Sequence, residues 1–232
     1  MAVRPLFVPS IEKNSLIQRI DLSFQWHAGM AVTQKQKSIR SLHESALKKG
    51  FERVLEISSK SENPIGVKLS AFNLRYRLGD GRQVSVENIY QAGKCFERGG
   101  PFVELLDKTP KEAKQDPRLS CSGSLIAFDL NGEAWPLIPV TAFYDWVYLS
   151  ALRQSPLLAE KLMGFDGFTD IEFNPERSLN CQAASAALFV ALARGGELEA
   201  TLAKRVAKGG VAREQIEGAL VAAETWLAKR AG

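Results

Sequence analysis

Three polar side chains stand at helical spacing after Ser85: Glu87, Gln91 and Lys94 occupy positions i, i+4 and i+7. On one continuous helix they project to the same side, while Val86, Ile89, Tyr90, Gly93 and Phe96 take the other. A carboxylate so placed can act as acid, base or electrostatic stabiliser, and an amine two turns away can act as a nucleophile. The same spacing also describes the wet face of an amphipathic helix, with Glu87 set in the first turn against the macrodipole. A cleft beside that face separates the two readings. Two other segments concentrate polar atoms. Lys35, Lys37 and Arg40 lie at or near a helix start, where cations and the dipole can hold an anion, and His43 follows on the same helix. Ser58, Ser59, Lys60, Ser61 and Glu62 put hydroxyls, a cation and a carboxylate in five residues. A solvated basic face and a polar loop are the competing accounts of these two.

The elements that must position these residues are legible in part. Ser85 is placed to cap a helix over 85–98, which Gly99, Gly100 and Pro101 stop. Ahead of it, 74–78 and 83–86 flank Gly79-Asp80-Gly81, the signal of a hairpin. Spacing predicts a helix over 33–49, with Thr33 as cap, Ile39, Leu42 and Ala46 on its inner face, and Gly50 at its end. Alternation over 20–26 predicts a half-buried strand, and 54–58, 67–72 and 124–130 also read as strands, the last closed by Asn131-Gly132. A charged amphipathic segment spans 109–119, helices are predicted over 141–153 and 156–163, and a short strand lies within 164–173. Beyond Asn180 the Ala-rich chain predicts helices over 182–193, 198–207 and 213–230. The sum is an α+β fold: a predominantly helical single domain, 1–232, with a small set of short strands, a core of about 20–190 and a helical C-terminal segment, 191–232.

With 232 residues, 45% of them hydrophobic, the chain can bury one full-sized core. It has no apolar run of about 18 residues, so no membrane partner is expected. The N-terminal stretch lacks the length and cleavage site of a secretory signal, and a cytoplasmic location is expected. Cys95, Cys121 and Cys181 are odd in number and widely spaced, which argues against a disulfide framework. With His27 and His43 as the two histidines, no metal-ligand spacing appears, and neither metal nor cofactor is called for. A net charge of +4 suits a nucleic-acid partner without requiring one.

Leu69-Ser70-Ala71-Phe72-Asn73, followed after the hairpin by Ser85, Glu87, Gln91, Lys94 and Phe96, resembles the paired signature of the NADAR/YbiA-like family, Leu-Ser-Asn-Phe and Ser-x-Glu-His-x-x-Gln-x-x-Lys-Phe. Asn88 stands where that signature has His. The resemblance implies that Glu87 is catalytic, that Lys94 is the family's lysine, and that Trp146 is its functional tryptophan. The C-terminal motif is kept only in part. Residues 169–172 fit its acidic strand but no Trp-Gly follows, so Asp170, Glu172 or Asn180 takes the place of its aspartate, with Asp170 counted as catalytic.

Longer segments resemble the NADAR antitoxins encoded beside DarT-type toxins, among them 34–44, 55–62, 66–73, 141–146 and 168–175. An ADP-ribose site then implies phosphate-facing cations and hydroxyl donors from Lys35, Lys37, Arg40, Ser58 and Lys60. It implies further contacts from His43, Glu44, Ser70, Asn73, Gln91, Trp146, Glu172 and Asn180. The implied activity is that of an N-glycosidase, an ADP-ribosyl hydrolase acting on ADP-ribosylated guanine in DNA and reversing a DarT-type ADP-ribosyltransferase, with ADP-ribose as product. Two other classes stay open: an antitoxin that neutralises by binding the toxin without catalysis, and an N-glycosidase on a small ribosylated metabolite, as in riboflavin-pathway relatives.

Overall fold

The computed structural model describes residues 1–12, 15–135, 137–175, 178 and 180–207. The helix expected over 213–230 lies outside the described residues. A long antiparallel hairpin, β1 (Ala2–Glu12) and β2 (Ser15–Phe24), opens the chain. Helix α1 (Val32–Leu47) follows, then β3 (Val54–Glu56). Much later β9 (Gly167–Thr169) enters between β1 and β3, antiparallel to the first and parallel to the second, completing a sheet of order β2-β1-β9-β3.

Successive residues of a strand face opposite sides, and Leu6 and Phe7 show the consequence. Leu6 packs with Leu22, Phe24, Ile39, Leu42 and Ala46 under α1. Phe7 joins the larger core built around α6 (Ala142–Arg153) and α8 (Gln182–Arg194). The sheet is thus covered by α1 on one side and α8 on the other, and its apolar content reaches back to residue 6, ahead of the core expected to begin near 20. Three apolar positions of α1, Ile39, Leu42 and Ala46, are buried as their spacing predicts. Ala31 rather than Thr33 occupies the N-cap, and the helix ends at Leu47 rather than 49.

The middle of the chain builds a second layer. The strand expected over 67–72 is instead helix α2 (Pro64–Lys68) and a turn. Asn63 accepts from the Ile65 N–H at 2.9 Å and Pro64 takes the first helical position, so a cap and a preset φ outweigh the apolar alternation. The hairpin at 79–81 forms from β4 (Arg75–Arg77) and β5 (Gln83–Ser85). Helix α3 (Val86–Ala92) then stops six residues short of the expected 98, and β6 (Lys94–Phe96) pairs with β7 (Leu125–Leu130). Asn131 and Gly132, both at positive φ, turn β7 into β8 (Glu133–Trp135).

The segment 109–119 holds two short helices, α4 (Pro110–Lys114) and the start of α5 (Arg118–Cys121). Helices α7 (Pro156–Leu162) and α9 (Leu198–Ala207) lie where spacing placed them. Among the described residues no helix is long and apolar enough to cross a membrane.

Candidate active site

Helix α3 is buried around its whole circumference, which no wet face would be. Val86 and Ile89 are fully buried, and Glu87 and Gln91, on the polar side, are each only 5% exposed. Ser85 caps the helix, its hydroxyl accepting from the Asn88 N–H at 3.0 Å. Gln91 Nε2 donates to Glu87 Oε1 at 2.7 Å, so these two residues share a face as their spacing predicts.

Lys94 reaches that face by another route. Gly93 ends the helix because the chain must pass close to its neighbours: a Cβ there would sit 2.8 Å from the Asp129 carbonyl oxygen and 2.9 Å from the Phe143 ring. The Asp129 N–H instead donates to the Gly93 carbonyl at 2.7 Å, which delivers Lys94 to the start of β6 rather than to a third helical turn. The single stripe of three is therefore corrected to a helical pair and a strand residue. Gly100, at φ +87°, covers the Lys94 carbonyl, where a Cβ would approach to 2.1 Å. The Lys94 amine lies 4.6 Å from the centroid of the Tyr90 ring. Burial lowers its pKa to about 8, Lys114 adds to that lowering, and Glu87 opposes it.

Lys114 is the residue that sequence reasoning missed. Its Nζ lies 3.6 Å from Glu87 Oε1 and 5.3 Å from the centroid of the Phe72 ring. It comes from α4, started by a capping box between Thr109 and Glu112 with Pro110 in the first turn, and that box was the available signal. Asn88 helps deliver it. The Asn88 amide donates to the carbonyls of Leu105 and Lys108 at 2.7 and 2.8 Å, tying α3 to a 3-10 helix (Val103–Asp107) and the approach to α4.

Asn180 closes the group from the far side, its amide donating to the Tyr90 hydroxyl at 2.6 Å. Burial, with the Glu87 charge, pushes the Tyr90 phenol up to about 12. Tyr144 stands edge-on to Tyr90 at 5.2 Å. Trp146 packs elsewhere, against Tyr76 and Trp135, so the α6 aromatic nearest this group is Tyr144.

A second polar grouping gathers at the carboxyl ends of β3 and β9. Glu56 accepts from the Thr169 hydroxyl at 2.7 Å and the Ile171 N–H at 2.8 Å, and the Ser58 hydroxyl bonds to it as well. Asp170 accepts from the N–H groups of Glu172 and Phe173 at 3.0 and 3.2 Å. Burial raises both carboxyls, Asp170 to about 8, and the Glu56 charge adds to the rise of Asp170. His43 Nε2 lies 3.0 Å from the Thr169 hydroxyl, and burial lowers its pKa to about 4.

The other sequence-derived candidates are dispersed around these two groupings. Lys35 pairs with Glu172 at 3.3 Å and lies 4.8 Å from the Trp26 ring. Lys37 is exposed and Lys60 is half-buried. Arg40, His43 and Glu44 line an open cleft of about 380 Å³ together with Glu56, Ser61 and Glu62, and neither Glu87 nor Lys94 borders it. Ser70 and Asn73 spend their side chains within their own turn. Ser70 donates to the Val67 carbonyl at 2.8 Å, and Asn73 donates to Val67 and Ser70 at 2.9 and 3.0 Å.

A buried carboxylate faced by one amine and held by an amide, with a second, partly desolvated amine on the neighbouring phenol ring, is a site for polar chemistry at a cationic or electrophilic carbon. The comparison with known families agrees with such a frame: the model described as the DarT1-associated NADAR antitoxin matches residues 2–211. The chain belongs to that family.

Proposed function

We propose that this chain hydrolyses the bond between ADP-ribose and guanine in DNA, releasing ADP-ribose and the unmodified base, and so undoes the work of a DarT-type ADP-ribosyltransferase. The observation that carries the reading is the grouping of a buried carboxylate, Glu87, with the amines of Lys94 and Lys114, in a chain of an antitoxin family. Cleaving a ribosyl bond to nitrogen builds positive charge at the anomeric carbon. Glu87, already desolvated, offers negative charge where screening is weak.

Lys94 supplies a nucleophile. With its pKa near 8, roughly a quarter of the amine is neutral at pH 7.5, against about one part in a thousand for an ordinary lysine. The ring opens as the C1–ring-oxygen bond breaks and that oxygen takes a proton, and the Lys94 lone pair bonds to C1. The C1–base bond then breaks with the base nitrogen taking a second proton, both protons being made good by the lysine nitrogen as it becomes an imine. Water then hydrolyses the resulting Schiff base, returning the amine and freeing ADP-ribose.

The decisive assay incubates the purified protein with an ADP-ribosylated oligonucleotide in the absence of toxin. Free ADP-ribose is expected, with a covalent adduct after borohydride that Lys94→Ala abolishes. Turnover without an adduct, and undiminished in Lys94→Ala, would restrict Lys94 to binding. DNA that stays modified while the protein still blocks the toxin would establish neutralisation by binding instead, and cleavage confined to free ribosyl amines would move the substrate to a small metabolite.

A further inference from the structure

We propose that Gln182 is a positioning residue for Glu87, its side-chain amide joining the Asp170 carboxyl to Ala71, the residue whose carbonyl anchors the first turn of α3. This inference rests on the reading of Glu87 as the charge-stabilising group. Gln182 opens α8, far in sequence from α3, and its amide bridges two groups from separate segments of the chain. Its Oε1 accepts from the Ala71 N–H at 2.7 Å. Its other end bonds to the Asp170 carboxyl. With the oxygen committed to Ala71, the end that meets Asp170 is the NH₂ group, which donates.

The Ala71 carbonyl, on the same turn, accepts from the Glu87 N–H at 2.9 Å. Asp170, Gln182, Ala71 and Glu87 therefore form one hydrogen-bonded line. Ala71 is 4% exposed and Asp170 7% exposed, so water is poorly placed to replace the amide. The turn has another anchor in the Tyr148 hydroxyl, which donates to the Leu69 carbonyl at 2.8 Å, but that bond lies two residues before Ala71. With Gln182 removed, the peptide before Ala71 loses its fixed partner, the adjoining peptide that carries the Ala71 carbonyl is freer to turn about the Ala71 Cα, and the seven-residue helix α3 loses one constraint on its first turn beside the Ser85 cap. Reaction rates respond steeply to misplacement of about 1 Å, so the loss is expected in kcat more than in KM.

The test uses Gln182→Met, which keeps length without hydrogen bonding, and Gln182→Glu, which keeps an acceptor for Ala71 and can share a proton with Asp170 at pH 6. For the folded full chain, Gln182→Met should lower kcat for ADP-ribose release about 10- to 100-fold with KM within about threefold, and should speed hydrogen exchange of the Glu87 amide at least about tenfold. Gln182→Glu should restore both toward wild type at pH 6. A folded Gln182→Met with wild-type kcat and wild-type exchange at Glu87 overturns the proposal. If Gln182→Met does not fold, Gln182→Glu decides. At pH 8.5 its new carboxyl faces Asp170, with Glu56, Glu172 and Cys181 also acting on that group, and kcat should fall relative to wild type; a ratio constant from pH 6 to 8.5 overturns the proposal. Should wild-type protein release no ADP-ribose, the enzymatic reading fails alone, and exchange at Glu87 still decides the role of Gln182.

Discussion

Two amines around Glu87 have different exposures and therefore different work. Lys114, whose side chain is 57% exposed, keeps its hydration and acts as a fixed positive charge. Lys94 is half-buried, and burial makes its charged form costly. Because Lys114 also depresses Lys94 while Glu87 supports its charge, single substitutions should move the amine in opposite directions. Lys114→Ala should shift the rising limb of the pH–kcat profile upward by about half a unit to one unit and lower kcat near pH 7.5 a few-fold. Glu87→Gln should shift the same limb downward while reducing kcat about 100-fold or more, since the stabilising charge is lost. Profiles of both variants from pH 6 to 10 check the pair. Shifts of the same sign would show that Lys94 does not sense both charges.

At the scale of elements, the site depends on where α3 ends. Gly93→Ala would press a methyl group onto the Asp129 carbonyl and the Phe143 ring. It should destabilise the protein by about 1–3 kcal/mol and reduce borohydride trapping of Lys94 more than it reduces binding of ADP-ribose; urea unfolding and adduct yield measure the two. This helix end was hidden in the sequence because a stronger stop signal, Gly99-Gly100-Pro101, stands six residues further on. Strand β1 escaped for a different reason. Pro5 and Pro9 argue against a paired strand, yet β1 is paired along β2 and meets β9 only at Phe7 and Phe168, so few bonds on that side are affected. What was legible came from local chemistry: the Ser85 cap, the Asp80-Gly81 and Asn131-Gly132 turns, and the inner face of α1. Glu87, Gln91 and Lys94 were readable because they are neighbours in sequence, although buried where spacing alone suggested a wet face. Lys114 and Gln182 come from distant segments and meet the site only through packing, which no periodicity encodes.

For the whole molecule, the junction of β3, β9 and α1 sets opposing pH dependences. His43 is held near pKa 4, below its usual 6.5, by burial. The unfolded chain thus binds more protons between about pH 4 and 6.5, so this stabilising contribution is present above 6.5 and is lost as pH falls toward 4. Asp170 has the other sign. Raised from 3.8 to about 8, it binds more protons when folded, so its contribution is present at low pH and is lost as pH rises through 8. Between about pH 4 and 6.5 the two slopes oppose and cancel, so from these two groups stability should stay nearly level there and decline as pH rises from 6.5 toward 8. His43→Gln keeps a donor for the Thr169 hydroxyl and removes the ionisation, so it should leave the Asp170 slope unopposed: the variant should gain about 2–3 kcal/mol relative to wild type as pH falls from 6.5 to 4, with the decline above pH 6.5 unchanged. Urea midpoints measured from pH 4 to 9 would show this. The same dependence on pH from 4 to 6.5 in wild type and variant would mean that His43 does not carry the lowered pKa that its burial implies.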